Sequence, residues 1–486
     1  SNPYREGAVC HFRLVGLGGS PERSLDLYDW ALPRVLGGAM KAGATVAHGS
    51  GIGLAKRDFT PDEYRGGSRL FWALRQALDP GFRMNPQKLY PTTVPAFPHD
   101  DGTGDEGGGS PETVLTWDHR VAGETAVTPE VPEEIPELLG IARRTGRTVT
   151  CQVGEGPIAK RRARESGGRE MVIRMDLLDR IIDMDPVSGT VTVQTGLTMV
   201  HLENFLREKG FTLGFVPRRL LTLTVGDYLA SAEPMAGSPL YGTVRDNCIG
   251  LSATLGDGTQ FSARAAPRRS SGPDLMHCFI GARGRYGIVT AACFRVFPWP
   301  QSREAVAYGT PDPVIAVSAI RSVLARDVSP EWVLMVLRSP SSRGGRRRVR
   351  VVVQMGGSRR QVSQGLAVIR DVMEPLGMEP EPIRAEDRLT PPAKRFPSVE
   401  RFLPMDRVMA LARRFGADDR PECPEVHLTH FGVHGATVRL LLREDVHRIP
   451  DDLGAVLRGP GHEGPLAAAL DVMKRQLDPD GVLGAG

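Results

Sequence analysis

The sequence predicts an α+β protein: two α/β units followed by a smaller antiparallel-sheet domain. Two observations carry this. From residue 118 onward, short β runs such as "TVTVQ" and "CIGLSATL" alternate with helical segments and glycine turns, the pattern of layered α/β units. Residues 303–440 change order to helix, strand, strand, helix and a later strand, which suits an antiparallel sheet with helices on one face.

Taken in order, the chain opens with strand "AVCHFRLVGL", helix "LDLYDWALPRVLGGAMKAG", strand "ATVAH", a turn, and helix "SRLFWALRQAL". Four elements in so short a segment make a poor core of their own, so this segment is expected to pack on the rest, against the antiparallel sheet. The stretch "PHDDGTGDEGGGS" (98–110) has no large apolar residue and reads as a flexible linker. Beyond it, "VTPEVPEEIPELLGIARRTGRTVTCQVG" is a helix with an acidic start and a basic end, then a strand. Later come helix "PVIAVSAIRSVLARD", strands "EWVLMVLRS" and "RRVRVVVQMG", helix "RRQVSQGLAVIRDVMEPLG" and strand "GATVRLLLRE". The expected limits are 1–95 for the opening segment, 96–112 for the linker, 113–300 for the two α/β units, 301–445 for the antiparallel domain and 446–486 for a helical tail returning to the first units.

Composition narrows the function classes. The 486 residues are 41% hydrophobic and 24% charged, ordinary for a globular chain. With 61 basic against 57 acidic residues, nucleic acid is not an expected partner. The basic run "SRGGRRRVRVVV" (342–353) reads as a hairpin turn feeding a strand, and only that run supports an anion-binding alternative. No apolar stretch is long enough to span a membrane, and no signal peptide is visible at the start. Cysteines 10, 151, 248, 278, 293 and 423 form no CxxC pair and read as thiols of a cytoplasmic protein.

Four landmarks then fall in one order: the entry helix already noted, "GEGPIAKRRARESGGREMVIRMDLLDRI" (154–181), "LTVGDYLASAEPMAGSPLYGTVRDNCIGLSATLGDG" (223–258) and "GPDLMHCFIGARGRYGIVT" (272–290). In that order and spacing the chain resembles the FAD-linked oxidases, with their vanillyl-alcohol oxidase and p-cresol methylhydroxylase (PCMH) type of flavin domain. The resemblance implies a PCMH-type FAD-binding domain of two α/β subdomains plus a ferredoxin-like antiparallel cap. It implies FAD as cofactor, with Gly154, Gly156, Lys160, Thr224, Gly226, Ser231, Tyr241, Gly242, Gly281, Arg283, Gly284, Gly287, Ile288 and Val289 around it. Glycine lets backbone N–H groups approach a pyrophosphate closely, which suits these loops.

The departures from the family pattern matter equally. Glu155, Pro157 and Ile158 replace a plain glycine–hydroxyl first loop, Gly226–Asp227 replaces Gly-Gly, and Ala282, Arg283 and Arg285 occupy the third loop. A carboxylate repels phosphate and proline removes a donor; Lys160, Arg161, Arg283 and Arg285 are the cations able to offset this.

"THFGVHGATVRLLL" (429–442) resembles the metal- or substrate-binding strand entry of glycolate-oxidase-like hydroxyacid dehydrogenases at His430 and Gly432, with Val433 and Thr437 at the other key places. His427, His430 and His434 have a spacing that ligates metal on a helix, but the region reads as loop and strand, so no metal is expected. The opening segment resembles the C-terminal end of the same family, above all of alkyldihydroxyacetonephosphate synthases. That likeness implies Tyr4 as a catalytic tyrosine and His48 as the first residue of a histidine signature in which Gly49 and Ser50 replace the rest. The final "LAAALDVMKRQLDPDGVLGAG" is a second ending of the same type, so the chain reads as a remnant of tandem duplication or a piece cut from a larger tandem protein.

The expected activity is hydride transfer from a small hydroxyacid or alcohol to flavin, with Tyr4, His48 and His430 as catalytic candidates. The alternative is a degenerate flavin-oxidase-fold subunit that scaffolds an active partner. A small-molecule substrate, a paralogous or iron–sulfur subunit and an oligomeric state complete the expected partners.

Overall fold

The computed structural model describes residues 2–4, 7–9, 20–41, 56–64, 66–78, 120–121, 124–152, 170–214, 216, 220–231, 238–266, 274–338, 348–384, 398–417, 425–429 and 435–441, with positions 472, 474, 475 and 477. It begins with a hairpin of β1 (Asn2–Tyr4) and β2 (Gly7–Val9), in which Tyr4 pairs with Gly7. Helix α1 (Pro21–Lys41) follows and continues through Pro33. Its Tyr28, Trp30 and Val35 are exposed, with the Arg34 guanidinium stacked over Trp30. The expected strand at 44–48 lies outside the described residues.

The short helix α2 (Thr60–Tyr64) leads into α3 (Gly67–Leu78). Leu70, Phe71, Ala73, Leu74 and Ala77 recur at helical spacing and form one apolar face. That face does not meet the antiparallel sheet, as the sequence reading expected. It enters the core of the second α/β unit, where Leu70, Phe71 and Ala73 are buried among Leu251, Phe261, Phe279 and their neighbours. Two local contacts fix the docking. Arg69 Nε lies 2.9 Å from Asp257, and at Gly66, in the left-handed region (φ +57°), a β-carbon would stand 2.3 Å from the Gln260 carbonyl oxygen. No side chain is tolerated at so close an approach. Leu477, near the other end of the chain, is buried in the same cluster.

In the first α/β unit, β3 (Arg120–Val121), β4 (Glu124–Val127), β5 (Thr148–Gln152) and β6 (Glu170–Arg174) form a sheet of order β3-β4-β6-β5. β4 and β5 both run parallel to β6, and α4 (Glu134–Arg144) supplies the crossover. Its Ile135, Leu138, Leu139 and Ala142 pack on Val149, Met171 and Ile173.

The second unit is antiparallel. β7 (Ile181–Asp185), β8 (Thr190–Gln194), β10 (Cys248–Leu255), β11 (Gln260–Ala263) and β12 (Gly287–Arg295) take the order β11-β10-β12-β8-β7. α5 (Met199–Glu208) and α6 (Val225–Ser231) pack on it through Met199, Leu202, Leu206, Val225, Tyr228 and Leu229. A two-residue ladder of β9 (Phe211–Thr212) with β13 (Phe297–Pro298) closes its edge, and the short α7 (Val244–Asn247) precedes β10.

The third layer is larger than the sequence suggested. β14 (Ser302–Thr310), β15 (Trp332–Arg338), β16 (Arg348–Gly357), β17 (Glu379–Glu381), β18 (Ser398–Pro404), β19 (Glu425–Thr429) and β20 (Gly435–Leu441) build a seven-stranded antiparallel sheet. Its order is β17-β14-β16-β15-β19-β20-β18. Helices α8 (Pro313–Leu324), α9 (Arg359–Met373) and α10 (Met405–Ala417) cover one face, as expected. Local signals start two of them: the Asp312 carboxylate accepts from Val314 N–H before Pro313 at N1, and Ser358 forms a capping box with Gln361. β15 is apolar on both faces: Val333, Met335 and Leu337 meet the helices, while Trp332, Leu334 and Val336 form a second cluster with Ala307 and Val352. That continuous run marks a strand buried on both sides. No described helix is long and apolar enough to cross a membrane.

Leu70→Ala should therefore cost about 3 kcal/mol, the usual figure for a buried leucine whose cavity cannot collapse. The loss should lower the urea midpoint without changing the slope; an unchanged midpoint would mean that α3 is not part of the core.

Candidate functional site

The two α/β units meet along the turn after β8. Thr195 Oγ1 donates to the Val289 carbonyl at 2.8 Å, its own carbonyl accepts from Gly226 N–H at 2.8 Å, and Gly196 N–H donates to Leu178 O at 2.7 Å. A β-carbon on Gly196 would lie 2.0 Å from Met175 O, so the turn sits directly on the segment that leaves β6. This one turn brings the second and third expected cofactor loops together. The third loop then docks on the end of α6: Gly281 N–H donates to Leu229 O at 2.9 Å and Arg283 N–H to Ala230 O at 3.3 Å. Arg245 holds the loop from behind, donating to Ile280 O at 2.6 Å. Arg283 adopts φ +52°, a left-handed backbone conformation rare for a side chain of its size.

Of the expected cofactor residues, Thr224, Gly226, Gly281, Arg283 and Val289 are gathered at this junction, Gly287 begins β12 against Thr254, and Ser231 ends α6. Ile288 differs: its side chain is buried in the first unit's core with Met171 and Ile173, so it packs the interface between units. Tyr241 and Gly242 also differ. The Tyr241 ring lies against Phe297 (4.8 Å between centroids) and its hydroxyl donates to Glu331 Oε1 at 2.9 Å, so it faces the cap. Gly154, Gly156, Lys160, His48 and His430 lie outside the described residues, as do Arg161 and His434. Tyr4 is described only as a strand residue of the opening hairpin. Among the described residues no group of side chains could hold a metal ion, and His427 sits in a strand, opposite Val336 and Arg439.

Four residues that the sequence reading did not select, Asp227, Cys151, Arg174 and Asp176, lie near this junction. Asp227, the first-turn residue of α6 after Gly226, exchanges hydrogen bonds with Thr224: Thr224 Oγ1 donates to its carboxylate and accepts from its N–H, both at 3.2 Å. Burial holds the Asp227 carboxyl above the usual carboxylate range, and the charge of Asp176 adds to this against the Thr224 hydrogen bonds. Cys151, near the end of β5, keeps solvent contact as a residue. Burial of its sulfur, then the charges of Asp227 and Asp176, push its thiol up to about 12. Arg174 is committed to Asp176, with Nε and Nη2 each 2.8 Å from Oδ2. The signal for Asp227 was visible as the substituted second glycine; nothing in the sequence placed Asp176 and Cys151 beside it.

A second constellation joins the junction to the cap. Glu331, 2% exposed at its side chain, accepts from Tyr241 Oη, from Arg303 Nε at 3.0 Å and from Gln354 Nε2 at 2.6 Å. Ser238 Oγ donates to its carbonyl at 2.6 Å. Gly356 leaves room for the carboxylate, since a β-carbon there would stand 2.3 Å from it. Every acceptor site of this buried charge is met, which is the condition for tolerating it. Burial first, then the Glu331 charge, keeps the Tyr241 phenol well above its ordinary range.

Residues 124–264 match the FAD binding domain, and residues 15–89 match the C-terminal domain of FAD linked oxidases. The chain thus matches two domain models of the FAD-linked oxidases, with the C-terminal-domain match placed ahead of the FAD-binding match. FAD is the cofactor this domain type assigns. Among relatives, an uncharacterized FAD-linked oxidoreductase of Escherichia coli (strain K12) is 30% identical over 171 residues, 34% of this chain and 35% of that protein. The mitochondrial D-2-hydroxyglutarate dehydrogenase of Bos taurus is 24% identical over 205 residues, 40% of this chain and 36% of its own. The chain spans about a third of the length of these curated relatives. A solved alkyldihydroxyacetonephosphate synthase shares the fold, with a TM-score of 0.57 at 18% identity over 74% of this chain and 76% of that one.

The described part of the junction does not by itself fit a pyrophosphate. The N–H groups of Gly226, Gly281 and Arg283 are spent on backbone carbonyls, and that of Asp227 on Thr224. Glycines 226 and 287 are explained by the chain itself, since β-carbons there would stand 3.2 Å from Thr195 O and 2.6 Å from Thr254 O.

Two measurements test the site as built. Tyr241→Phe should cost about 2 kcal/mol, one hydrogen bond to a buried charge. Glu331→Ala should cost about 1–3 kcal/mol, because Tyr241 and Gln354 lose their buried acceptor while Arg303, 34% exposed, keeps its solvent; both read as urea midpoints. For pH, Asp227 and Glu203 carry carboxyls raised chiefly by burial. Their contribution to stability is complete below the ordinary carboxylate range and is lost as pH rises through the folded values. Unfolding free energy should accordingly fall from about pH 4 toward neutrality, less steeply in Asp227→Asn; parallel profiles would contradict the assignment.

Proposed function

We propose that the chain is an FAD-linked oxidoreductase acting on a small hydroxyacid or alcohol, with hydride passing from the substrate carbon to flavin. The reading is supported by the junction at Thr195, where the segments expected to be the second and third cofactor loops meet, in a chain whose domain matches are those of FAD-linked oxidases. The hydroxyacid class is supported by the likeness to D-2-hydroxyglutarate dehydrogenase. The substrate's hydroxyl proton needs an acceptor within hydrogen-bond reach, and Tyr4, His48 and His430 are the candidates. The domain limits at 95, 112, 300 and 445 belong to the same reading, as does the origin of residues 1–91 in an upstream copy. A paralogous or iron–sulfur partner belongs to it as well.

A second reading, a scaffolding subunit of flavin-oxidase fold, is favoured by one observation: the N–H groups of Gly226, Gly281 and Arg283 in the expected cofactor loops are already spent on backbone carbonyls. The two separate on one preparation. Protein that takes up FAD, shows the visible band of oxidised flavin and bleaches on addition of D-2-hydroxyglutarate or D-lactate without oxygen supports the enzyme. A protein that stays colourless with excess FAD supports the scaffold.

A further inference from the structure

Helix α1 (Pro21–Lys41) stands apart from the rest of the described chain. Each of its described side chains is exposed or half-buried, and none of its residues belongs to an apolar cluster among the described residues. Yet the helix is amphipathic. Tyr28, Leu32, Val35 and Ala39 follow one another at steps of four, three and four residues, the spacing of a coiled-coil seam. Leu27 and Ala31 widen the same face. Tyr28 and Val35, in the middle of it, are 52% and 40% exposed.

Such a helix does not hold by its own propensity. Pro33, Gly37 and Gly38 lie inside it, and proline and glycine are the weakest helix formers. Its stability must come from packing of the apolar face, so that face needs a cover. Gly38 adds a second sign. It borders the seam beside Ala31, and a β-carbon there would meet nothing within 4 Å. Its own chain therefore gives no reason for a glycine, whereas the close approach of a second helix gives one.

Charge selects the partner. The helix carries three acids and three bases, and they are sorted. Arg34, with Arg23 and Lys41 behind it, lies on one side of the seam; Asp29, with Asp26 behind it, lies on the other. A helix with a whole acidic side does not suit an anionic lipid surface, which selects polar faces rich in Lys and Arg. It suits a copy of itself. In a parallel pair each flank meets the opposite flank of the partner helix, base against acid, whereas an antiparallel pair sets like charges together.

We propose that α1 is a dimerisation helix: two copies of the chain pair through α1 in parallel, and Tyr28, Leu32, Val35 and Ala39 each meet their own counterpart across a two-fold axis. The inference is independent of the FAD reading.

Sedimentation equilibrium of the full chain tests it. Wild type should pass from one chain toward two between about 1 and 100 μM, and Val35→Glu should raise the dimer Kd at least about tenfold. Val35 lies outside the apolar clusters, so this variant should keep the urea midpoint of the wild-type monomer. Orientation is read by Tyr28→Cys and Ala39→Cys. Mild oxidation should link two chains at either position beyond any background of the wild type, since an antiparallel pair can bring together the two copies of only one of them. Arg34→Glu with Lys41→Glu in one chain, and Asp26→Lys with Asp29→Lys in another, should each weaken self-association, and the two chains should associate when mixed. A wild type still monomeric at about 100 μM overturns the proposal, whether α1 then binds anionic vesicles in flotation or is covered within its own chain. A dimer that survives Val35→Glu, or that links at only one of the two cysteines, overturns it as well.

Discussion

The buried carboxylate of Glu331 is the contact on which the relation between cap and junction depends. A charge at 2% exposure is tolerated only with its acceptors met, and the donors come from different parts of the fold. Tyr241 belongs to the tight turn before α7, Arg303 to β14 and Gln354 to β16. Any sliding of the cap sheet over the second α/β unit would strip the charge of a donor. The constraint extends outward through Arg303, which lies over the Trp299 ring at 4.6 Å, and through the hydrogen bonds of Ser238 and Leu240 to the segment before β15. A network of this kind fixes one arrangement because every alternative leaves a buried polar group unpaired.

What the sequence made legible follows from how local each signal was. Helix α3 was readable because its apolar spacing and its ends lie within a dozen residues. α8 and α9 were readable from their caps, and β15 and β16 from long apolar runs. β18 was missed because its "SVERFLP" carries charges in mid-strand, and β19 because "EVHLT" is short and mixed. Their pairing with β20 and β15 creates those strands, and pairing between distant segments leaves no mark in a single chain.

The same limit explains the site. The glycine landmarks gave the order of the loops, and the loops do converge. Yet Tyr241 looked like a cofactor residue until its partner, ninety positions away, was placed against it. Ile288 was grouped with its neighbours, but strand alternation turns it into the first unit's core while Val289 offers its carbonyl to Thr195. Asp227 was legible as a departure from Gly-Gly; its company, Asp176 and Cys151, was not, because neither lies within 50 residues of it.

The displaced C-terminal-domain sequence at 15–89 is accounted for by packing. Leu70, Phe71 and Ala73 fill the same core that receives Leu477 from the far end of the chain. A sheet of this width needs that face covered, and each fully buried leucine or phenylalanine contributes about 2–3 kcal/mol by leaving water. Chain order is irrelevant to that gain: the helix covers the sheet equally well from the front of the sequence, provided a linker spans the gap. Chemistry is less forgiving than packing, since a base must stand within hydrogen-bond distance of one proton, whereas an apolar face needs only approximate volume. The match of residues 15–89 to a C-terminal domain therefore sits with a packing role for α3 at the front of the chain.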